Sequence, residues 1–397
     1  MTGFSNSSPA GSPRLGSIDA YRGFVMLLMM AEVLHFGEVA KKVPDNPIWD
    51  LLAQCQSHVP WSGCSLHDLI QPSFSFLVGV AMPFSLASRM ARGQSFARQA
   101  LHALWRAILL VALGIFLRSI GKPQTYFTFE DTLTQIGLGY FFLFLLGRAT
   151  PLTRWIALVA VLVGYWALFA TWPPGGPTEF DAPGVPPNWP YQFTGFAAHW
   201  NKNANFAWAF DTWFLNLFPR VEPFTHNGGG YATLSFIPTL GTMLLGLIAG
   251  SWLRSPAANA TKVGRLLVAG VVSFGLGWAA DASGLCPSVK RIWTPSWVLL
   301  SGGYCFVILA AFFAVIDWGG FRAWAMPLRV IGVNSIVAYC MDHLIEDFLV
   351  GSLYTHVGQS AFQWFGPYEP LVVGGCVLLI YWLILYWMDR QHIYVRI

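Results

Sequence analysis

The sequence predicts an all-α integral membrane protein, a bundle of about ten transmembrane helices with both termini cytoplasmic. Three observations carry this expectation. Only 11% of the residues are charged and 55% are hydrophobic, whereas about a quarter of a soluble domain is charged. Ten separate runs are apolar enough, at about 20 residues each, to cross a hydrocarbon core about 30 Å thick. Lys and Arg gather at the ends of those runs that share a side with the N-terminus, as cytoplasmic loops do.

Residues 1–13 are rich in Ser, Gly and Pro and read as a flexible N-terminal segment. They lack the charged start, apolar core and small-residue cleavage site of a removed signal peptide, so the first apolar run reads as a retained span. Residues 14–397 form one transmembrane domain, with spans near 18–36, 66–88, 99–119, 131–148, 154–172, 233–253, 264–281, 295–316, 326–346 and 368–388. With the N-terminus inside, fifteen of the 23 Lys and Arg fall on the cytoplasmic side, among them Arg14, Arg22, Arg89, Arg106, Arg329 and Arg396. The net charge of +4 is spread over many short loops. No basic stripe exists, which leaves no case for a nucleic-acid partner. The lipid bilayer is the expected partner, and a homodimer is compatible with such a bundle.

Two outer loops are long enough to do more than connect. Residues 37–65 include His58 and Trp61, and residues 173–232 carry many Pro, Gly and aromatic residues. The second reads as an irregular, aromatic-rich cap, whose rings could stack on sugars or anchor at the interface. The six cysteines show no CxxC pair and no metal spacing, so no metal site is expected. Cys55 and Cys64 share one loop and could bridge in an oxidising compartment.

Polar groups inside spans are costly, so those that persist are candidates for function. Glu32 lies in the first span, with His35 three residues on. An unpaired carboxylate there would be protonated or matched to a cation or histidine. Asp68 opens the second span and could be a site carboxylate or an acid at a helix N-terminus. Asn334 and Ser335 could equally be interhelical hydrogen-bonding residues. Gln135 lies in the fourth span, and Asp342 and His343 near the outer end of the ninth. Asp19 and Arg22 could be a helix-end pair. His58 precedes Pro60-Trp61-Ser62-Gly63, where the chain turns back toward the membrane. An imidazole there can exchange a proton near neutral pH or carry an acyl group. Lys290 and Trp293 sit at an outer boundary, where such a pair is ordinary anchoring.

Several blocks resemble one family. Arg14-Leu15-Gly16-Ser17-Ile18-Asp19-Ala20-Tyr21-Arg22-Gly23 looks like its opening motif. His58-Val59-Pro60-Trp61-Ser62-Gly63, followed by Asp68-Leu69-Ile70-Gln71-Pro72, is similar to its "H-x-x-W-x-G…D-L-[VI]-x-P" block. Gln135 to Tyr140, Lys290 to Ser296, Gly332-Val333-Asn334-Ser335 and the closing Tyr394-Val395-Arg396-Ile397 continue the series in order. The family is heparan-α-glucosaminide N-acetyltransferase with its bacterial relatives, a group carrying a domain of unknown function. The resemblance implies acetyl-CoA as donor on the cytoplasmic side and an amino sugar or other glycan as acceptor on the other. It places the catalytic histidine on His58 and a matching carboxylate on Asp68. Glu32 matches a glutamate common in the bacterial members, and a bacterial inner (plasma) membrane location follows. Where the family has an arginine this chain has Gln135, which bears on how the donor is held.

Together these readings make His58, Asp68 and Glu32 the expected catalytic set. Arg22, Arg89, Gln135, Asn334 and Ser335 are expected to hold acetyl-CoA, and Trp61, Lys290 and Trp293 to line the acceptor site. No metal is expected. His58 would act as general base or as an acyl-carrying nucleophile. Two other classes compete: a proton-coupled transporter of a small solute or sugar using Glu32, His35 and Asp342, and a degenerate family member acting as scaffold or sensor.

Overall fold

The computed structural model describes residues 15–174 and 182–395. The segment 1–13, Arg14 and the final Arg396-Ile397 lie outside the described residues. Sixteen α-helices follow in order: α1 (Gly16–Met30), α2 (Phe36–Lys42), α3 (Pro47–Cys55), α4 (Ile70–Ala91), α5 (Phe96–Arg118), α6 (Thr132–Gly147), α7 (Pro151–Ala170) and α8 (Phe206–Phe214). Then come α9 (Phe236–Arg254), α10 (Asn259–Ala282), α11 (Pro295–Phe312), α12 (Met326–Val333), α13 (Ser335–Leu344), α14 (Glu346–Val357), α15 (Gln359–Gln363) and α16 (Glu369–Arg390). Among the described residues there is no strand, only an isolated antiparallel bridge between Ser62 and Val289.

All ten expected spans are helical, but they differ in kind. Eight helices, counted with their flanking turns, are long and apolar enough to cross a membrane. A helix pair, Ala323–Val333 and Ser335–Leu344, bent by 66° at its break, makes a ninth if it counts as one span. The tenth, α6, has 16 residues and is shorter than the others. Its start falls where the sequence places it, because Asp131 caps it: the Asp131 carboxylate accepts from the backbone N–H groups of Leu133 and Thr134.

Starts elsewhere follow the same chemistry. Ser95, Thr150 and Thr294 cap α5, α7 and α11 with their hydroxyls, and Pro151 and Pro295 occupy first-turn positions where no N–H is needed. Leu15 offers α1 no side-chain cap. Asp317, after α11, takes that part, accepting from Gly16 N and Ser17 N at 3.0 Å each. This contact joins chain segments about three hundred residues apart and fixes where the first helix begins.

The core forms around α9, which is enclosed along nearly its whole length, while α5, α7 and α10 turn Leu101, Val163 and Val271 outward. Such outward apolar faces suit lipid contact. Burial at α9 depends on close approach to α4. A Cβ on Gly246 would lie 1.9 Å from the Phe76 carbonyl oxygen, and one on Gly79 equally close to that of Met243. Without a water-driven hydrophobic effect between helices in lipid, small residues that let backbones touch supply the attraction. Gly246→Leu would force α4 and α9 apart.

The cap 182–232 buries Trp200 against other parts of the chain and leaves Tyr191, Phe196 and Trp213 exposed. Trp61, Tyr165, Phe169, Trp200 and Ile292 share one buried cluster. All six cysteines, Cys55 and Cys64 included, are free thiols.

Candidate active site

Two cavities lie along one seam of the bundle. The first, about 380 Å³, is lined by Arg22 of α1, Phe74 and Val78 of α4, Arg106 of α5, Ile136 and Tyr140 of α6, and Ser335 of α13. The second, about 420 Å³, is lined by Met29, Ile70 and Gln71, Arg118, Thr132, and Tyr339 and Asp342. The same five helices, α1, α4, α5, α6 and α13, thus wall both cavities at successive turns. Arg106 and Arg118 mark the two levels on α5, about 18 Å apart at 1.5 Å per residue. Both cavities are of a size usual for small-molecule sites.

The second cavity contains the chemistry. His58 comes from the loop after α3, Asp68 from a single 3₁₀ turn (His67–Leu69) before α4, and Lys290 from the turn before α11. His58 Nδ1 lies 2.7 Å from Asp68 Oδ1. Lys290 Nζ lies 3.1 Å from the same oxygen and 3.1 Å from His58 Nδ1. Asp68 also accepts from Val59 N, Ser65 N and Ser65 Oγ. Its side chain is wholly buried and faces the loop rather than helical N–H groups, so its place is not explained by the helix dipole.

These contacts decide the tautomer. An ionised carboxylate only accepts and an ammonium only donates. Nδ1 therefore carries a proton toward Asp68, Lys290 donates to Asp68, and the Nε2 lone pair of His58 is left for the cavity. Among the described residues no hydrogen bond engages Nε2. Burial pulls the His58 pKa below its ordinary 6.5, the bond to Asp68 opposes this, and the charges of Lys290 and His67 lower it further. Burial likewise holds the Lys290 ammonium below its usual range, against the pull of Asp68.

Two loops are locked together to hold this arrangement. The Ser62–Val289 bridge is joined by a bond from Gly63 N to Ser288 O. Arg291 donates to Val59 O at 3.3 Å and to Gly229 O at 2.8 Å. The turn that presents Lys290 closes through Trp293 N to Lys290 O, with Trp293 in the left-handed region at φ 50°. That backbone is unfavourable for a bulky residue. It is held by burial of the indole and its bond from Nε1 to Thr242 Oγ1.

The other expected site residues fall as follows. Glu32 is not an unpaired acid at depth: α1 gives way to a 3₁₀ turn at Ala31, and the half-exposed Glu32 carboxylate meets His67 Nε2 at 3.2 Å. Trp61 and Trp293 line neither cavity. Both are fully enclosed, Trp61 donating to Trp200 O, so they brace the two loops and present no face to an acceptor. Arg22 and Ser335 line the first cavity, but Arg89 does not; its guanidinium lies 3.4 Å from Gln94 Oε1. Gln135 is buried and donates to the carbonyls of Phe129, Ala232 and Thr233, tying the start of α6 to that of α9. Asn334 sits at the bend and holds the C-terminal strand of chain, donating to Ile393 O and accepting from Val395 N. Through it Val395, not Asn334, reaches the first cavity.

Sequence reasoning missed Arg106, which it counted as a charge at a span end. Arg106 lines the first cavity, donates to Tyr140 Oη at 3.1 Å, and leaves its buried Nε without a partner. Its position well inside an apolar run was the available signal. His67 was passed over as a neighbour of Asp68, yet its ring lies 4.4 Å from that of His58.

A polytopic helical membrane protein with a His–Asp–Lys cluster at one end of a helix-walled seam is what the fold and site define. No family model matches the chain. It is similar to human heparan-alpha-glucosaminide N-acetyltransferase, 24% identical over 379 residues, which is 85% of this chain and 54% of the human protein. The mouse protein of the same name is 22% identical over 375 residues, 84% of this chain and 54% of its own. Both similarities run along most of this chain and point to that family. It spans about half the length of the curated relatives it matches.

Proposed function

We propose that the chain is a transmembrane acetyltransferase that moves acetyl from acetyl-CoA to an amino sugar or other glycan acceptor, with His58 as its acid–base. The observation that supports this most is the shared seam: Arg22 and Arg106 at one cavity, an oriented imidazole at the other, and five helices common to both. Arg22 and Arg106 suit the phosphates of the donor, because guanidinium groups pair with phosphate oxygens at fixed geometry. The thioester then extends along the seam to the second cavity, where the acceptor enters from the other side.

In that reading His58 Nε2 takes a proton from the acceptor nitrogen or oxygen as it attacks the thioester carbon. Asp68 keeps the ring oriented and stabilises the imidazolium that forms. As the carbon–sulfur bond breaks, the same proton passes to the CoA sulfur. Lys290, with its proton directed at Asp68, keeps that carboxylate ionised. The excess of Lys and Arg near the first cavity's end favours a cytoplasmic position for it. A bacterial inner membrane is the compartment this reading implies.

The transporter reading lacks its relay. Glu32 pairs with His67, while the nearest carboxylate to His35 is Glu346, at 3.9 Å. Acceptor-dependent release of CoA from acetyl-CoA, measured on protein reconstituted in lipid with a panel of amino sugars and glycans, tests the proposal. Solute uptake without any CoA release would contradict it.

A further inference from the structure

The second cavity holds two carboxylate–imidazole pairs, and the mechanism above uses one. His67 Nε2 is 3.2 Å from Glu32 Oε1, and the His67 ring packs 4.4 Å from that of His58. The Glu32 carboxylate therefore lies against one edge of the His67 ring, while the ring's face meets His58. The pairs differ in access: the Asp68 side chain is 0% exposed and the Glu32 side chain 48%. Both histidines and Glu32 line the same space. Other charged groups on it are Arg118, Glu130, Asp131, Lys290, Asp342 and His343. No hydrogen bond or ion pair joins any of these six to His67 among the described residues.

Proton counting gives the second pair a task. An amine flanked by electron-withdrawing groups, like a chain's α-amino group at about 7.7–8.0, is largely protonated at neutral pH and below. Acetylating R–NH₃⁺ with acetyl-CoA yields R–NH–CO–CH₃, CoA–SH and one free H⁺. Two protons leave the nitrogen. His58 carries one of them to the sulfur as the carbon–nitrogen bond forms and the carbon–sulfur bond breaks. The other must leave before the nitrogen has a lone pair to attack with. We infer that the His67–Glu32 pair is the second base: the neutral His67 imidazole accepts the ammonium proton, and the half-exposed Glu32 passes it to solvent. A hydroxyl acceptor releases no net proton, so the pair has this task only with a protonated amine.

The inference rests on the acetyl-transfer reading, and the test separates the two. The full chain in lipid, given acetyl-CoA and glucosamine, is assayed for CoA release as wild type, His67→Gln, Glu32→Gln and His58→Ala. Acetyl-CoA binding serves as the folding control. At about pH 6, His67→Gln should lose about 10- to 100-fold, the usual scale for one general base. Near pH 9, where the amine is already neutral, the loss should shrink to about twofold or less. Glu32→Gln should follow the same trend more weakly, and His58→Ala should be inactive at both. An equal loss by His67→Gln at both pH values means a merely structural role and overturns the inference while leaving His58 in place, as does no loss at either. If wild type transfers no acetyl to any amine, or His58→Ala is fully active, the reading itself fails and the inference with it.

Discussion

His58 and His67 face one cavity with a carboxylate each, yet they are built from opposite materials. Asp68 is buried, takes hydrogen bonds from five groups and is matched by Lys290. Glu32 is half exposed and is held by His67. The carboxylate of the first pair is bonded at both oxygens; that of the second is open to water. Orientation of a base at a reacting bond demands the first kind, since small misplacements are costly in rate. Exchange of protons with solvent demands the second.

The comparison can be broken most directly at His58. Replacing it with Ala should lower acetyl transfer by about 10²–10⁴-fold with donor binding intact, as loss of an acid–base group does; acceptor-dependent CoA release measures it. Asp68→Asn should come next, at about 10²-fold, because an amide can hold the ring in the wrong tautomer. Glu32→Gln, its counterpart, should cost about tenfold or less at neutral pH, and equal losses in the two would erase the distinction between the pairs.

Lys290→Met leaves the buried Asp68 charge without its cation. Breaking such a pair costs about 3–5 kcal/mol, and the remaining donors to Asp68 should keep the loss near the lower end. Thermal unfolding in detergent should show a lower midpoint. Arg106→Gln should raise the KM for acetyl-CoA about tenfold with little change in kcat, since it acts at the cavity away from the chemistry.

The smallest effect is on pH dependence. The neutral imidazole is the active base, so the rate falls as pH drops through the His58 pKa. Burial lowers that pKa from 6.5, so half-maximal activity should lie on the acid side of 6.5. A wild-type pH–rate profile with its acid limb above that value would contradict the environment described for His58.

Much of this molecule was legible before its structure. Apolar runs longer than the bilayer is thick leave the chain few alternatives to helices, which is why all ten runs appear. The exceptions are local. Asn334 sits at the 66° bend of the ninth run, and the fourth forms a helix of only 16 residues. His58 and Asp68 could be singled out through a short family block, because their contact is only ten residues deep in sequence. Lys290 reaches the same carboxylate from 222 residues away, a contact that no local pattern encodes. Glu32 was read inside the first span and does lie within Gly16–Lys42 against a histidine, but periodicity does not reveal that α1 gives way there to a 3₁₀ turn ending at the left-handed His35, φ 48°. Trp61 and Trp293 looked like ligand-facing rings, but an aromatic in a loop packs as readily inward, and both do.

The most direct test is one rate. Protein reconstituted in lipid is mixed with acetyl-CoA and an amino-sugar acceptor, and CoA release is followed for wild type and for His58→Ala at matched acetyl-CoA occupancy. Release that depends on the acceptor in wild type and falls to background in the variant is the predicted result. Full release by His58→Ala would contradict the assignment of His58 as the acid–base of this site.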